Sequence, residues 1–157
     1  MTRLQIGMRL PELRVEVTHK MIVMGATASR DWQPQHHDPA AAMAAGLPGI
    51  IMNNYTQAGL ISRYVTDWSG VHGRIGRMRF SMRRPLCPGA IAAIQGMVAD
   101  VTPGAEVPTS TSFTWVEIDI QVKLGETVAT TATAKIALPV KQGGASPWRC
   151  PAARWRP

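Results

Sequence analysis

The first third of the chain mixes short apolar patterns of different period. Residues 13–18 alternate apolar and polar positions, which is typical of a half-buried strand. Residues 20–28 are predicted to form a second extended or loosely structured run. The segment 38–46 instead predicts a short helix, because Asp38 and Pro39 suit its first positions, alanines follow, and Gly46 suits its end.

A longer, main helix is predicted over about residues 51–68. Its large apolar residues recur at three- and four-residue intervals or at multiples of them, and Gly70 follows. Asn53 or Asn54 is the expected N-cap, since asparagine readily accepts the free N–H groups of a first turn.

Strand patterns dominate the rest of the chain as far as residue 138. They cover residues 75–84, 91–101, 114–122 and 128–138, with a turn at 125–126 between the last two. Strand, helices and then an antiparallel run of strands predict an α+β fold in which one sheet carries a helix laid across it. We assign residues 1–140 to this domain and expect residues 141–157, rich in Pro and Arg, to be a disordered tail.

Composition narrows the class of partner. The 157 residues carry a formal net charge of +7, which suits an anionic partner such as nucleic acid, a membrane surface or the phosphates of coenzyme A. No nucleic-acid-binding motif is present and aromatic residues do not interleave with the arginines, so we expect no specific nucleic-acid binding. No apolar run reaches membrane-spanning length and no secretion signal is visible, so we expect a cytoplasmic protein without membrane association.

Metal binding is the weaker interpretation of the histidines and cysteines. Cys87 and Cys150 lack metal-ligand spacing, and we expect no metal. A site built on the adjacent His36, His37 and Asp38 remains the lesser alternative.

The loop between the first strand and the short helix carries the candidate chemistry. Pro34 stiffens the segment between Asp31 and His36, so the two side chains can converge. A carboxylate and an imidazole that share a water molecule can position it and take its proton near neutral pH. The alternative is a turn-capping Asp31 and a surface His36.

The spacing Asp-x-x-Pro-x-His-x-Asp ahead of an alanine-rich helix resembles the signature of the MaoC-like (R)-specific enoyl-CoA hydratases. Asp31, Pro34, His36 and Asp38 stand at the matching positions. Residues 28–38 and 62–70 are also similar to the small catalytic subunits of heteromeric MaoC-like hydratases of bacterial steroid side-chain degradation.

The chain departs from the family pattern around this loop. Arg30 replaces the glycine before the catalytic aspartate, and Gln33 replaces the asparagine before the proline. Asn53-Asn54 stands in place of His-Gly at the start of the main helix, and Gly59 in place of a serine. These changes suggest an altered, roomier acyl pocket around an unchanged pair.

The resemblance implies a hot-dog fold, in which a curved antiparallel sheet wraps around a central helix. It implies hydration of a 2-enoyl-CoA thioester to a 3-hydroxyacyl-CoA, with Asp31 as base and His36 as its partner. No cofactor is implied beyond the coenzyme A of the substrate. Asn53, Asn54 and Gly59 are the candidate oxyanion and substrate-binding positions, and an N-cap is the alternative for the asparagines.

Two further expectations concern partners. Arg77, Arg79 and Arg83 lie along one strand and are weaker candidates for binding the coenzyme A phosphates, with a solvated strand face as the alternative. The resemblance implies a homodimer or a heteromer with a second MaoC-like subunit. The competing interpretation of the chain is a non-catalytic partner subunit that shapes an acyl-CoA tunnel for another chain, and a basic nucleic-acid-binding module is a more distant one.

Overall fold

A computed structural model describes residues 4–103, 113–140, 144 and 146–157. Its strands are β1 (Leu13–Glu16), β2 (Arg74–Met82), β3 (Ile91–Pro103), β4 (Phe113–Leu124) and β5 (Thr127–Pro139). Its helices are α1 (His19–Ala28), α2 (Pro39–Ala44) and α3 (Asn54–Ser69), together with short 3₁₀ turns at Pro34–His36, Pro147–Arg149 and Ala152–Arg154. The strands pair antiparallel in the order β1-β3-β4-β5-β2. They form one sheet, as predicted.

The main helix, α3, packs on one face of this sheet. Ile61 and Val65 are fully buried on its inner side, and alternate residues of β4 meet them from the sheet. Those residues are Val116, Ile118, Ile120 and Val122. Every second residue of β4 is thus buried against the side of α3 whose buried residues are four positions apart. This packing confirms the predicted α+β fold, in which a curved sheet wraps around a helix.

A close contact with β3 seats the middle of α3. A Cβ atom placed on Gly96 would lie 2.9 Å from Tyr64 Cε1, so only glycine lets the strand backbone pass beneath the ring. Tyr64 is buried, and its hydroxyl has no hydrogen-bond partner among the described residues. This burial raises the pKa of Tyr64 to about 12, so the phenol stays neutral near neutral pH.

The segment predicted to be extended, residues 20–28, is instead α1, and that prediction is wrong. The Thr18 side chain caps the helix by accepting from the Met21 N–H, while Ile22 and Ala26, four residues apart, are buried. Tertiary burial of this one stripe overrides the strand preference of the residues around it.

The tail also differs from the expectation of disorder over residues 141–157. Residues 141–143 and 145 lie outside the described residues, but residues 146–157 lie against the sheet face that α3 does not cover. Trp155 packs on Trp115 and Phe113, with ring centroids 4.8 and 5.8 Å apart. The tail is ordered because Phe113 and Trp115 form an apolar aromatic surface on this face. A segment without a helical or strand pattern can still pack on such a surface through single aromatic residues.

An arginine ties the same tail to the start of β2. The Arg74 guanidinium carbon lies 3.8 Å from the centroid of the Trp155 ring and 5.1 Å from that of Trp148. The Trp148 indole N–H donates to the Gly73 carbonyl at 3.0 Å. Cation–π and hydrogen-bond contacts thus add to the apolar packing of the tail.

None of the helices in the described part of the chain has the length and hydropathy needed to span a bilayer.

Candidate active site

The end of α1 places Asp31. Arg30 has a φ of 56°, and the Asp31 N–H donates back to the Ala26 carbonyl at 2.9 Å, which closes the helix with a left-handed turn. This conformation favours glycine, the residue that the resembled family carries there, and costs other residues roughly 1–2 kcal/mol. Arg30 therefore adopts the left-handed conformation itself, at a cost that glycine would not carry.

The 3₁₀ turn Pro34–His36 places His36. Ile51 holds this turn twice, since its N–H donates to the Gln35 carbonyl at 3.0 Å and its carbonyl lies 2.7 Å from His36 Nδ1. A carbonyl oxygen only accepts, so His36 Nδ1 must carry hydrogen. Nε2 is then the nitrogen left for chemistry.

The two predicted catalytic side chains meet. His36 Nε2 lies 3.3 Å from Asp31 Oδ2, and the side chains are only 5% and 12% exposed, respectively. Because Nδ1 is already protonated, the contact between Nε2 and a carboxylate oxygen is attractive only when one proton lies between them. The two side chains can therefore share a proton in a largely desolvated place.

Asn53 joins the pair from the start of α3. Its Nδ2 donates to Asp31 Oδ2 at 3.1 Å and to Ser29 Oγ at 2.8 Å. Its Oδ1 accepts from the Thr56 N–H, which confirms the N-cap interpretation of this residue. The bond from Asn53 to Asp31 was not foreseen, because nothing in the sequence shows that α1 and α3 approach one another.

A glycine makes that approach possible. The Cβ that any other residue would place at Gly25 in α1 would collide with Thr56 Oγ1 in α3. With only hydrogen there, the end of α1 comes close enough for Ser29 and Asp31 to reach Asn53.

The other predicted substrate positions lie along the first turns of α3. The backbone N–H groups of Asn54 and Tyr55 have no acceptor among the described residues. Gly59, two residues after buried Gln57, is exposed, and a Cβ there would meet nothing within 4 Å. The start of α3 thus offers free backbone donors one and two residues after Asn53, the residue that contacts Asp31, and Gly59 faces open space.

The arginines are not brought to this pair. Met78 Sδ lies 3.8 Å from Ser62 Oγ of α3, so Met78 faces the helix and its neighbours Arg77 and Arg79 project from the opposite face of β2. Arg83 follows the strand and is exposed, with its N–H donating to the Ala129 carbonyl. On the same opposite face, Arg79, Ser81, Asp119, Gln121 and Thr133 border an open hollow of about 410 Å³.

The remaining polar residues of the loop have structural contacts. Asp38 Oδ1 accepts from the N–H groups of Ala40 and Ala41, which confirms it as the cap of α2. His37 is exposed and its Nε2 lies 3.3 Å from the Trp32 carbonyl. No three His, Cys, Asp or Glu side chains in the described ranges lie close enough together to hold a metal ion.

Comparison with known proteins places the site within a known family. The family model described as MaoC like domain matches residues 5–117. The 3-oxo-4,17-pregnadiene-20-carboxyl-CoA hydratase beta subunit of Mycobacterium tuberculosis is 36% identical over 99 residues, which are 63% of this chain and 77% of that protein.

Solved structures agree with that match. The crystal structure of the ChsH1-ChsH2 complex from Mycobacterium tuberculosis superposes with a TM-score of 0.77 at 30% identity, over 88% of this chain and 99% of the other. The (R)-hydratase from A. caviae involved in PHA biosynthesis gives a TM-score of 0.72 at 20% identity, over 88% and 100% of the two chains. The second likeness shows the fold alone, and both confirm the predicted hot-dog architecture.

Proposed function

Because this chain belongs to the MaoC-like domain family, we propose that it adds water across the double bond of a 2-enoyl-CoA thioester to give a 3-hydroxyacyl-CoA. The observation that carries the proposal is the buried contact between His36 Nε2 and Asp31 Oδ2, with the His36 tautomer fixed by Ile51. Such a pair can take one proton and return another without a net change in its own charge.

The proposed hydration moves one proton from water to the pair and one from the pair to the substrate. The oxygen of a water molecule held by Asp31 and His36 bonds to C3 of the enoyl group, and the water proton passes to the pair. The π electrons of the C2–C3 bond move toward the thioester carbonyl, whose oxygen gains negative charge. C2 then takes a proton from the pair, which returns to its starting state.

The start of α3 is proposed to stabilise the charge on the thioester oxygen. The N–H groups of Asn54 and Tyr55 lack protein acceptors in the described structure and lie at the positive end of the helix dipole. Preorganised donors of this kind are worth about 2.7–4 kcal/mol each in related acyl chemistry. Asn53 contributes through its contact with Asp31, and Gly59 leaves room for the acyl chain.

For the acyl group, we propose a bulky substrate such as a steroid side-chain acyl-CoA. Support comes from the relative named as a 3-oxo-4,17-pregnadiene-20-carboxyl-CoA hydratase beta subunit, at 36% identity. The small residue Gly59, one turn along α3 from the free donors, is consistent with a wide acyl path.

The working assembly is proposed to include a second MaoC-like subunit. β2 lies at the edge of the sheet by the described strand order, so its outer backbone groups are available for pairing. Antiparallel pairing of two copies through β2 would bring the exposed Arg77 and Arg79 of each copy together, and like charges on adjacent strands are destabilising. A different chain with a less basic edge strand avoids this repulsion, and the matched ChsH1-ChsH2 structure is itself a complex of two named components.

One assay separates hydration from the non-catalytic alternative. The chain is purified alone and with a co-expressed MaoC-like partner, and the loss of enoyl-thioester absorbance is followed for short-chain and steroid side-chain enoyl-CoAs. We expect hydration by the complex that disappears when Asp31 is changed to Asn in this chain. Hydration that survives this change, with the partner intact, would make this chain the non-catalytic subunit.

The arginines provide a separate prediction about coenzyme A. If Arg77, Arg79 and Arg83 bind its phosphates, replacing all three with Ala should raise KM for a CoA thioester by about 10-fold or more, since charge-assisted pairs are the stronger hydrogen bonds. A truncated thioester without the nucleotide should show little change. An equal effect on both substrates, or none, would leave these residues as a solvated strand face, in keeping with their position opposite α3.

A further inference from the structure

Asn53 uses every hydrogen-bonding position of its side chain. Oδ1 accepts from the Thr56 N–H at 3.0 Å and from Thr56 Oγ1 at 2.6 Å, while Nδ2 donates to Ser29 Oγ and to Asp31 Oδ2. The residue is 2% exposed. A backbone N–H can only donate, so the oxygen must face Thr56 and the amide cannot be reversed.

The same contacts distinguish the two oxygens of the Asp31 carboxylate. Oδ2 lies 3.1 Å from Asn53 Nδ2 and 3.3 Å from His36 Nε2. Oδ1 has no hydrogen-bond partner among the described residues. A carboxylate held on one oxygen by two groups cannot rotate freely, and its other oxygen stays available to the reactants.

We propose that Asn53 is a positioning residue that fixes the Asp31 carboxylate so that Oδ1 receives the proton of the attacking water. The inference rests on the proposed hydration and deepens it. Asn53 touches neither water nor substrate in this scheme. Asn53 links the first turn of α3 to Asp31. The free N–H donors of that turn therefore stay at a fixed distance from the Asp31 carboxylate.

Two substitutions separate this positioning from the cap. Asn53→Ser keeps an oxygen that can cap α3 but removes the donor to Asp31. Asn53→Asp also keeps the cap and the shape, but it replaces the donor with a second carboxylate beside Asp31. Thr56→Val is the matched control, because it removes one bond to Asn53 Oδ1 and leaves Nδ2 in place.

Both variants are expected to fold but to unfold at a lower temperature than the unchanged protein, because Asn53→Ser leaves the Ser29 and Thr56 hydroxyls without their partner and Asn53→Asp places a second carboxylate in a buried position. Circular dichroism at the assay temperature checks that each variant is folded. In the complex with its partner, Asn53→Ser should lower kcat by about 10- to 100-fold with KM within about 2-fold, because a displaced base slows chemistry more than binding. Thr56→Val should keep kcat within about 3-fold, since the donor to Asp31 remains.

The pH profile gives a readout that a purely structural residue would not move. Among the described residues, His36 is the one titratable group in contact with Asp31. The caps of α1 and α3 that face this site, Ser29 and Asn53, are uncharged. In Asn53→Asp a new negative charge favours protonated Asp31, so the acidic limb of kcat/KM should move to higher pH by about one unit or more. A crystal structure of Asn53→Ser should show the Asp31 carboxylate turned away from its present orientation.

The outcomes are distinct. Unchanged kcat and an unchanged pH profile in Asn53→Ser and Asn53→Asp would overturn the inference while leaving hydration intact. Equal losses of kcat in Asn53→Ser and Thr56→Val would also overturn it, because they would reduce Asn53 to a helix cap. Absence of hydration in the unchanged protein, with and without its partner, would instead reject the proposed function itself.

Discussion

Changing Asp31 to Asn is expected to lower kcat by about two to four orders of magnitude, the usual worth of a positioned acid–base group. Asparagine keeps the size of the side chain and can still accept from Asn53, so the fold should be retained. His36→Ala should show a comparable loss of kcat. Steady-state kinetics on an enoyl-CoA with the assembled protein measure both effects.

His36→Ala carries a cost that the sequence alone did not indicate. His36 lies in a loop, yet its side chain is 5% exposed and its Nδ1 donates to the Ile51 carbonyl. Loss of that bond leaves the part-buried Ile51 carbonyl without its partner, which costs up to about 1–3 kcal/mol. Asp31→Asn is therefore the cleaner test of catalysis.

Matched controls lie in the same loop. Asp38→Asn removes a carboxylate that only caps α2, and asparagine caps equally well, so activity should stay within about 2-fold. His37→Ala removes an exposed imidazole next to His36 in the chain. If the Asp38 or His37 variants lose as much activity as their counterparts, the assignment of the pair is wrong.

The second large effect concerns the tail. Trp155→Ala is expected to lower the free energy of unfolding by about 2–3 kcal/mol, less than the 3–5 kcal/mol of a fully buried tryptophan because Trp155 is half-buried. For a chain of this length the thermal midpoint should fall by about 4–12 °C. The loss arises from exposure of Phe113 and Trp115 together with loss of the Arg74 contact.

Differential scanning calorimetry on Trp155→Ala and on the exposed control Arg154→Ala tests this. Arg154→Ala should leave the midpoint unchanged, and both variants should keep their activity because the tail covers the sheet face opposite α3. An unchanged midpoint in Trp155→Ala would show that the tail does not stabilise the sheet in solution and would restore the expectation of disorder.

The sequence predicts most of the sheet and α3 because their residues carry strong local patterns. In β4, Val116, Ile118, Ile120 and Val122 alternate with polar residues, and the structure buries them against the helix. The position of Asp38 as a cap follows equally well from the neighbouring Pro39 and alanines. These features need no knowledge of distant residues.

The features that were missed depend on contacts distant in the chain. α1 shows no clear helical period, and its burial is decided by the rest of the core. The tail is ordered by Phe113 and Trp115, more than thirty residues earlier in the chain. Likewise, the bond from Asn53 to Asp31 exists only because Gly25 lets two helices meet at Thr56. The family resemblance pointed to the Asp31–His36 pair, but it could not show the contact between Asp31 and Asn53.

The edge position of β2 has a consequence for the newly made chain. An unpaired strand edge is a template for aggregation until a partner covers it. Here Arg77 and Arg79 are exposed along that edge, with Arg83 and Arg84 just beyond it. Charged residues placed on or beside an aggregation-prone strand act as gatekeepers, because each copy repels the next one that would stack on it. The arginines are therefore expected to disfavour edge-to-edge self-association of the chain before a partner covers β2.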